Sequence, residues 1–258
     1  MMKLLKTVIV LWLVLLTGSA WAAGQAEDSS QLFLQANQAY RQGAYAQAAQ
    51  WYEQVLAAGP ANGHLYYNLG NACLKSDQLG RAILNYKRAA RYIPRDEDLR
   101  TNLLYARGLT HDKVECPEGL TAVIKRFCFW YSSLNLSELA VAFLIVNALL
   151  WLLLVLKMLV KKETLALPVA ICAFGTFVLG ASFGVKCYGD SFLGEGVVTA
   201  SEILVRSGNS INDTVLFRLH DGTEFSWEQE SDGWVKIRLC DGKKGWVQNS
   251  VVEAVSEK

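Results

Sequence analysis

The sequence predicts a multidomain membrane protein with an all-α helical array, a two-helix transmembrane hairpin and an all-β small barrel. Three observations predict it: a repeated helical pattern over residues 29–96, two uncharged apolar runs between 139 and 185, and short β-prone segments after residue 190. Hydrophobic residues make up 52% of the chain and charged residues 19%, which favours a membrane protein with soluble parts. The net charge of +1 gives no reason to expect nucleic acid as a partner.

Residues 1–23 have the pattern of a signal peptide. Lys3 and Lys6 precede the apolar run 8–16, and the small residues Ala20 and Ala22 follow it. The run is too short to span about 30 Å of hydrocarbon, which disfavours a membrane anchor. We therefore expect cleavage after Ala22 or Ala23 and export of the soluble part that follows.

Two transmembrane helices are predicted at residues 137–160 and 164–186, joined by a short loop at 161–163. The runs Leu139–Leu156 and Leu165–Val185 carry no charge, and each is long enough to span a membrane. Lys157, Lys161 and Lys162 place the loop in the cytoplasm. Both soluble parts are then expected on the extracytoplasmic side of a bacterial inner (cytoplasmic) membrane.

Three features of the membrane region admit more than one interpretation. The linker 113–136 carries apolar residues at helical spacing, typical of an amphipathic helix at the outer interface or packed under the helical array. Asn147 could bond a partner helix or the other span of the same hairpin. Gly180 and Gly184 are four residues apart, a spacing that permits close helix approach.

The helical array has a fixed period. Ala48, Tyr52 and Pro60 recur 34 residues later as Ala82, Tyr86 and Pro94, and this resembles tetratricopeptide repeats, which are stacked helical hairpins. The resemblance implies repeats at 29–62 and 63–96, with a capping helix that completes the region 29–112. It is strongest in the second repeat, which has the family's small and large residues at Tyr66, Leu69, Gly70, Cys73, Ala82, Tyr86, Ala89 and Pro94.

Resemblance to these repeats implies a peptide-binding inner face formed by the first helix of each hairpin. The exposed candidates on that face are Asn37, Tyr40, Arg41, Tyr67, Asn68, Asn71, Lys75, Asn102 and Tyr105. Asn amides can bond a peptide backbone, and Arg41 and Lys75 could hold a carboxylate. Asn68 stands where peptide-binding members of the family have an asparagine. A polar face that is simply solvated is the alternative.

A basic stretch lies on the second helix of the second repeat. Its members are Arg81, Lys87, Arg88, Arg91 and Arg95. A solvated helix surface explains such a stretch, and contact with anionic lipid or with an acidic partner is the alternative.

The pattern of the tail, residues 191–256, predicts a small β-barrel. Six β-prone runs are separated by turns, among them the hairpin signals Asp221-Gly222 and Asp241-Gly242. The runs are Gly196–Thr199, Ile203–Arg206, Val215–Leu219, Thr223–Glu228, Gly233–Leu239 and Gly245–Gln248. Residues 198–200, 204–208, 233–237 and 245–247 resemble bacterial SH3 domains, for some of which peptidoglycan is a ligand. Trp227 is the candidate groove residue, and Trp234 and Trp246 are expected to seal the core.

No arrangement of residues predicts catalysis, a metal site or a cofactor. His64, His111 and His220 are far apart in the sequence without metal-like spacing. Cys73 and Cys172 are expected to be free. Cys116, Cys128, Cys187 and Cys240 lie on the exported side, where a disulfide could persist; Cys116 with Cys128 is the nearest pair, and Cys128 with Cys187 is an alternative.

The order of these parts resembles the BatE family of the Bat (aerotolerance) gene clusters of bacteria. The resemblance covers nearly the whole chain and includes the run from Pro94 to Asp98 and on to Asn102. It implies a non-enzymatic scaffold in an envelope complex with von Willebrand factor A domain membrane proteins and a MoxR-type ATPase. The alternative function is a cell-wall sensor that binds peptidoglycan through the SH3 domain.

Overall fold

A computed structural model describes residues 29–114, 129–160, 163–192 and 194–256. Eight helices lie in these ranges: α1 (29–41), α2 (Tyr45–Ala58), α3 (Gly63–Lys75), α4 (Leu79–Tyr92), α5 (Glu97–Leu109), α6 (Phe129–Ser133), α7 (Leu136–Val160) and α8 (Ala166–Phe192). The predicted signal peptide and residues 115–128 of the predicted linker helix lie outside the described residues.

Helices α1 to α5 form the predicted helical region. Short turns join them, and each of α3, α4 and α5 packs on the helix before it. Tyr52 and Tyr86, the large residues of the 34-residue period, are both buried in the shared core. A Cβ on Gly70 would lie 2.6 Å from Cδ1 of Tyr86, so a small residue is needed where α3 and α4 meet. Asp96 begins α5, since its side chain accepts a 2.8 Å hydrogen bond from the backbone N–H of Leu99.

Helices α7 and α8 pack against each other, and both are long and apolar enough to cross a membrane. The two helices are in contact at Gly175 and Gly180, where an added Cβ would lie 3.4 Å from Val146 and 3.0 Å from Phe143. The expected close approach of the two helices at Gly184 is wrong, because a Cβ there would meet no atom of the described part of α7 within 4 Å.

The start of α7 is tied to the helical region. Oδ1 of Asn135 accepts a hydrogen bond from the N–H of Glu138, and the Glu138 carboxylate accepts one from the N–H of Asn135, which is a capping box. Nδ2 of Asn135 also donates to the carbonyl of Tyr92 at 3.0 Å, and Arg95 forms an ion pair with Glu138. The end of α4 is thereby fixed to the first apolar span.

The tail forms one seven-stranded antiparallel sheet. Its strands are β1 (Gly194–Val198), β2 (Glu202–Arg206), β3 (Val215–His220), β4 (Glu224–Ser231), β5 (Trp234–Arg238), β6 (Lys244–Gln248) and β7 (Val252–Ala254), in the order β3-β2-β6-β5-β4-β1-β7. The six predicted strands correspond to β1–β6, and β7 was not predicted. Gly222 and Gly242 have φ of +82° and +91°, as the two predicted Asp-Gly turns require.

The sheet packs directly on α4. Val197 of β1 and Val255 are buried in the same hydrophobic cluster as the helical core. Two glycines allow this approach: a Cβ on Gly80 would lie 2.2 Å from the carbonyl oxygen of Val198, and one on Gly222 would lie 3.0 Å from Ile83. The N–H of Gly80 also donates to Asp221 at 3.2 Å. The helical region and the β domain therefore share a core.

Candidate functional sites: the inner face and the junction with the β domain

Two regions carry concentrated polar chemistry. The inner face is the surface of α1, α3 and α5 that holds the predicted peptide-binding residues. The junction is the surface where α4, α5 and the segment 110–114 meet the β domain. The inner face follows from the sequence pattern, whereas the junction depends on contacts between distant parts of the chain.

The inner face contains a repeated tyrosine–asparagine hydrogen bond. The phenol of Tyr52 donates to Oδ1 of Asn37 at 2.7 Å, and the phenol of Tyr86 donates to Oδ1 of Asn71 at 2.7 Å. Burial and the neighbouring Tyr40 raise the pKa of Tyr52 to about 12, and burial also raises the pKa of Tyr86. Both phenols therefore remain protonated donors.

Three further inner-face residues bond to one another. Nδ2 of Asn102 donates to Oδ1 of Asn71 at 2.9 Å and also contacts the Tyr67 hydroxyl at 3.0 Å. The hydrogen bonds of Asn71, Asn102 and Tyr67 join α3 to α5 and fix the shape of the face. The expectation of exposure is corrected for six of the nine predicted residues, which are half-buried: Asn37, Tyr40, Tyr67, Asn68, Asn71 and Asn102.

The remaining predicted residues keep their binding groups. No hydrogen-bond or ion-pair partner lies within the described ranges for Asn68, Arg41, Lys75 or Tyr105, and Tyr105 is 61% exposed. Tyr40 packs edge-on against Tyr45 with ring centroids 5.2 Å apart. The free groups therefore flank the bonded network on the same three helices.

The basic stretch of α4 faces the acidic β domain. Nζ of Lys87 lies 2.8 Å from Glu195 and 2.6 Å from Glu224, and its side chain is only 11% exposed. Arg88 donates to the carbonyl of Ala254 at 2.9 Å and lies 3.6 Å from Glu253. The interpretation as a solvated surface is wrong for these two residues, since the acidic contact is within the same chain.

Glu224 is the centre of this charge cluster. Nε and a terminal nitrogen of Arg107 donate to its two carboxylate oxygens at 2.6 and 2.9 Å, and Lys87 donates at 2.6 Å. Burial alone would raise the pKa of Glu224, but the Arg107 hydrogen bonds and the Lys87 charge outweigh it and hold the pKa below its usual value. A cavity of about 570 Å³ lies beside the cluster and is lined by both parts of the junction.

A second cluster of the junction was missed by the sequence analysis. Asp112 and His220 are 108 residues apart, yet Oδ1 of Asp112 lies 2.9 Å from Nδ1 of His220 and 3.5 Å from Nδ1 of His111. The imidazole centroids are 4.1 Å apart. No local spacing could have shown this cluster, because the docking of the β domain creates it.

Oδ2 of Asp112 is held by two other donors. It accepts from the backbone N–H of His220 at 2.7 Å and from the hydroxyl of Thr223 at 2.6 Å. Burial opposes ionisation of Asp112, but the hydrogen bonds from Thr223, His220 and His111 outweigh it and lower the pKa to about 2. Both oxygens of the Asp112 carboxylate are therefore engaged: Oδ2 accepts from Thr223 and the His220 N–H, and Oδ1 faces the two imidazoles.

The roles of the tryptophans are corrected. Trp227, predicted to line a groove, packs against the β-domain core beside Phe225, with ring centroids 6.1 Å apart. Val235, Ile237 and Val247 point into the core, so Trp234 and Trp246 on the same strands point outward. Trp234 lines a surface pocket of about 230 Å³ together with Leu204, Arg206 and Ile211.

The bonding states of the cysteines agree only in part with the predictions. Cys73 and Cys172 are free, as predicted. Cys187 is also free, so the alternative Cys128–Cys187 bond is wrong, whereas Cys240 is disulfide-bonded. The predicted pair Cys116 and Cys128 lies outside the described residues.

Asn147 has no hydrogen-bond partner within the described ranges. The expectation that it bonds the other span of its own hairpin therefore finds no support in the described part of α8.

Comparison with known proteins assigns the β domain. The family described as bacterial SH3 domain matches residues 202–253, which extend from β2 into β7. This segment is therefore a bacterial SH3 domain, preceded by a helical region and two apolar helices. The match covers a minor part of the chain and leaves β1 outside it. No curated protein matches the chain.

Proposed function

We propose that this protein is a non-enzymatic, membrane-anchored scaffold whose inner face binds a segment of a partner protein in an envelope complex. The observation that carries the proposal is the arrangement of Asn68, Arg41, Lys75 and Tyr105 around a bonded asparagine–tyrosine network. A face that is already fixed by internal hydrogen bonds loses little conformational entropy when it binds a partner.

The chemistry of this face suits an extended peptide with an acidic group. The Asn68 amide offers both a donor and an acceptor to a peptide backbone. Arg41 and Lys75 are exposed cations, and each can pair with a carboxylate. We therefore propose an acidic segment of a membrane protein as the ligand.

The proposed location is the extracytoplasmic side of the bacterial inner membrane. The signal-peptide pattern, the lysine loop and the two apolar helices support an arrangement with both soluble parts outside. By resemblance to the BatE family, we propose von Willebrand factor A domain membrane proteins and a MoxR-type ATPase system as partners. A role in aerotolerance or stress resistance is proposed on the same ground.

Photo-crosslinking in intact cells tests the scaffold proposal. A photoreactive residue at position 68 is expected to capture a membrane protein with a von Willebrand factor A domain, and Arg41→Ala with Lys75→Ala should reduce the yield severalfold. The same probe at Gln54, which is exposed on α2, is the matched control. Equal capture from positions 54 and 68 would contradict the proposal. A capture yield that is unchanged by Arg41→Ala with Lys75→Ala would also contradict it.

The SH3 domain supports a second candidate function, binding of peptidoglycan. The pocket lined by Trp234, Leu204 and Ile211 combines an outward indole with apolar side chains, and Arg206 adds a charge. Aromatic residues in grooves bind extended peptides and related ligands. The detergent-solubilised full chain should sediment with purified peptidoglycan, and Trp234→Ala should abolish this. Trp246→Ala, an outward tryptophan outside that pocket, is the control; equal loss in both variants would reject the pocket.

A further inference from the structure

We propose that His111, Asp112 and His220 bind a divalent transition-metal ion, with Zn²⁺ the best fit, at the junction of the helical region and the SH3 domain. The site goes beyond the scaffold function and does not depend on it. Its three ligand atoms would be one nitrogen from each imidazole and Oδ1 of Asp112.

The distances between these atoms fit a tetrahedral ion. Ligands about 2.0–2.2 Å from Zn²⁺ at tetrahedral corners are about 3.4 Å from one another. Oδ1 of Asp112 lies 2.9 Å from Nδ1 of His220 and 3.5 Å from Nδ1 of His111, and all three ligand atoms lie within 4.8 Å of one another. The two distances from Oδ1 bracket the tetrahedral value, and rotation of the imidazole rings would bring the third pair of atoms to it.

The surroundings of Asp112 favour a metal ligand over an ordinary ion pair. Its Oδ2 is fixed by the Thr223 hydroxyl and the His220 N–H, so the carboxylate plane is set before any ion binds. Hydrogen bonds of this kind orient the ligands of known metal sites and tune their affinity. Oδ1 is then directed at both imidazoles.

The site is open to solvent on one side. The side chains of His111 and His220 are 75% and 30% exposed, whereas that of Asp112 is 15% exposed. An ion can therefore enter past His111, and a water can take the fourth position. Two imidazole nitrogens and one carboxylate oxygen select Zn²⁺, Co²⁺ or Cu²⁺ over Mg²⁺ and Ca²⁺, which prefer oxygen ligands.

Metal binding would join the two soluble parts. His111 and Asp112 follow α5, while His220 ends β3, so one ion would link the helical region to the SH3 domain. The ion would stabilise the docked arrangement because its ligands are brought together only in that arrangement.

Metal titration of the full chain in detergent, purified with a tag that contains no histidine, tests the site. After chelation, Co²⁺ should bind at one ion per chain and give the visible absorption of tetrahedral Co²⁺, and Zn²⁺ should displace it. His111→Ala and His220→Ala should each weaken binding at least about tenfold. His64→Ala, the third histidine and exposed on α3, should leave binding unchanged.

The variants separate metal binding from folding. His220→Ala removes a hydrogen bond of the junction and can loosen it. The His111 ring is 75% exposed and its contact with Asp112 is longer, at 3.5 Å, so His111→Ala should change the thermal unfolding of the metal-free chain little. Loss of Co²⁺ absorption in His111→Ala with unchanged unfolding supports the site. Stoichiometric binding that survives the double variant His111→Ala/His220→Ala, or no binding by the parent chain at micromolar Zn²⁺, would overturn it and leave a hydrogen-bonded cluster.

Discussion

The phenol of Tyr86 donates a 2.7 Å hydrogen bond to Oδ1 of Asn71, and Tyr52 makes the same bond to Asn37 one 34-residue period earlier. The period therefore repeats a polar contact as well as apolar packing, and each contact joins the two helices of a hairpin. The pairs differ in one respect: Asn71 also accepts from Asn102 of α5, whereas the Asn37 oxygen has the Tyr52 phenol as its donor.

This difference predicts unequal costs for two equivalent substitutions. Tyr52→Phe and Tyr86→Phe each remove one hydroxyl and should lower the free energy of unfolding by about 1 kcal/mol. The cost should be smaller for Tyr86→Phe, because Asn71 keeps its bond from Asn102. Urea unfolding of the full chain in detergent, followed by circular dichroism, measures both. The exposed Tyr105→Phe should be neutral; a larger cost for Tyr86→Phe than for Tyr52→Phe would contradict the network.

Local periodicity was sufficient to predict most elements. The helices of the array, the two apolar spans and six of the seven strands follow from apolar spacing and from Asp-Gly turns. The orientation of the tryptophans did not follow, because the strand register decides which face each one takes. Val235 and Val247 occupy the core, and their neighbours Trp234 and Trp246 therefore point outward.

The junction could not be predicted from local patterns. Lys87 and Arg88 form an ordinary basic helix face until β1 and β4 bring Glu195 and Glu224 against it. The His111–Asp112–His220 cluster has the same origin. Gly80 was the one local signal, since a glycine near the start of a helix permits close approach of another backbone, but nothing in the sequence identifies that backbone as β1.

Glu224 is predicted to hold the SH3 domain on the helices. Glu224→Gln removes the charge that pairs with Arg107 and Lys87 and should lower the free energy of domain separation by about 2 kcal/mol. The weaker junction should appear as faster hydrogen exchange of the backbone amides of α4 and β1. Glu228→Gln is the control, because Glu228 pairs with Arg238 and Lys244 inside the SH3 domain. Similar exchange in both variants would show that Glu224 does not hold the junction.

The junction is also predicted to weaken in acid. The folded-state pKa of Glu224 lies below its usual value of 4.5, so its stabilising contribution is complete above about pH 4.5 and is lost as pH falls through the folded pKa. Lys87, Arg107 and Glu195 face this carboxylate, and its hydrogen bond to Arg107 raises the pKa of that guanidinium further above this range. Asp112 acts in the same direction at lower pH.

Hydrogen exchange of β1 between pH 6 and pH 3 tests this dependence. After correction for the intrinsic exchange rate, the protection of the β1 amides in the parent chain should decrease as the pH is lowered from about 4.5. In Glu224→Gln, the protection near pH 4.5 should depend less on pH. If the protection of β1 in Glu224→Gln depended on pH as it does in the parent chain, a group other than Glu224 would cause the acid sensitivity.

Cys240 is predicted to pair with Cys116. The other described cysteines are free, and Sγ of Cys240 lies 4.0 Å from the carbonyl oxygen of Val114, two residues before Cys116. Two residues span at most about 7 Å, which keeps Cys116 within disulfide reach. Non-reducing peptide mapping should find the 116–240 link in protein made in an oxidising compartment. A 128–240 link would reject this pairing.

The transmembrane hairpin offers a comparison between two glycines of α8. An added Cβ at Gly180 would lie 3.0 Å from Phe143 of α7, whereas one at Gly184 would meet no atom of the described residues within 4 Å. Gly180→Val should therefore force the two helices apart and lower the thermal unfolding midpoint of the detergent-solubilised chain by several degrees, because overpacking costs about 1–3 kcal/mol. Gly184→Val places the same side chain on the same helix and should change the midpoint little. A larger loss of stability in Gly184→Val than in Gly180→Val would contradict this prediction. It would indicate that Gly184 faces the hairpin of a second chain, so that the glycines serve contact between hairpins and not contact within one hairpin.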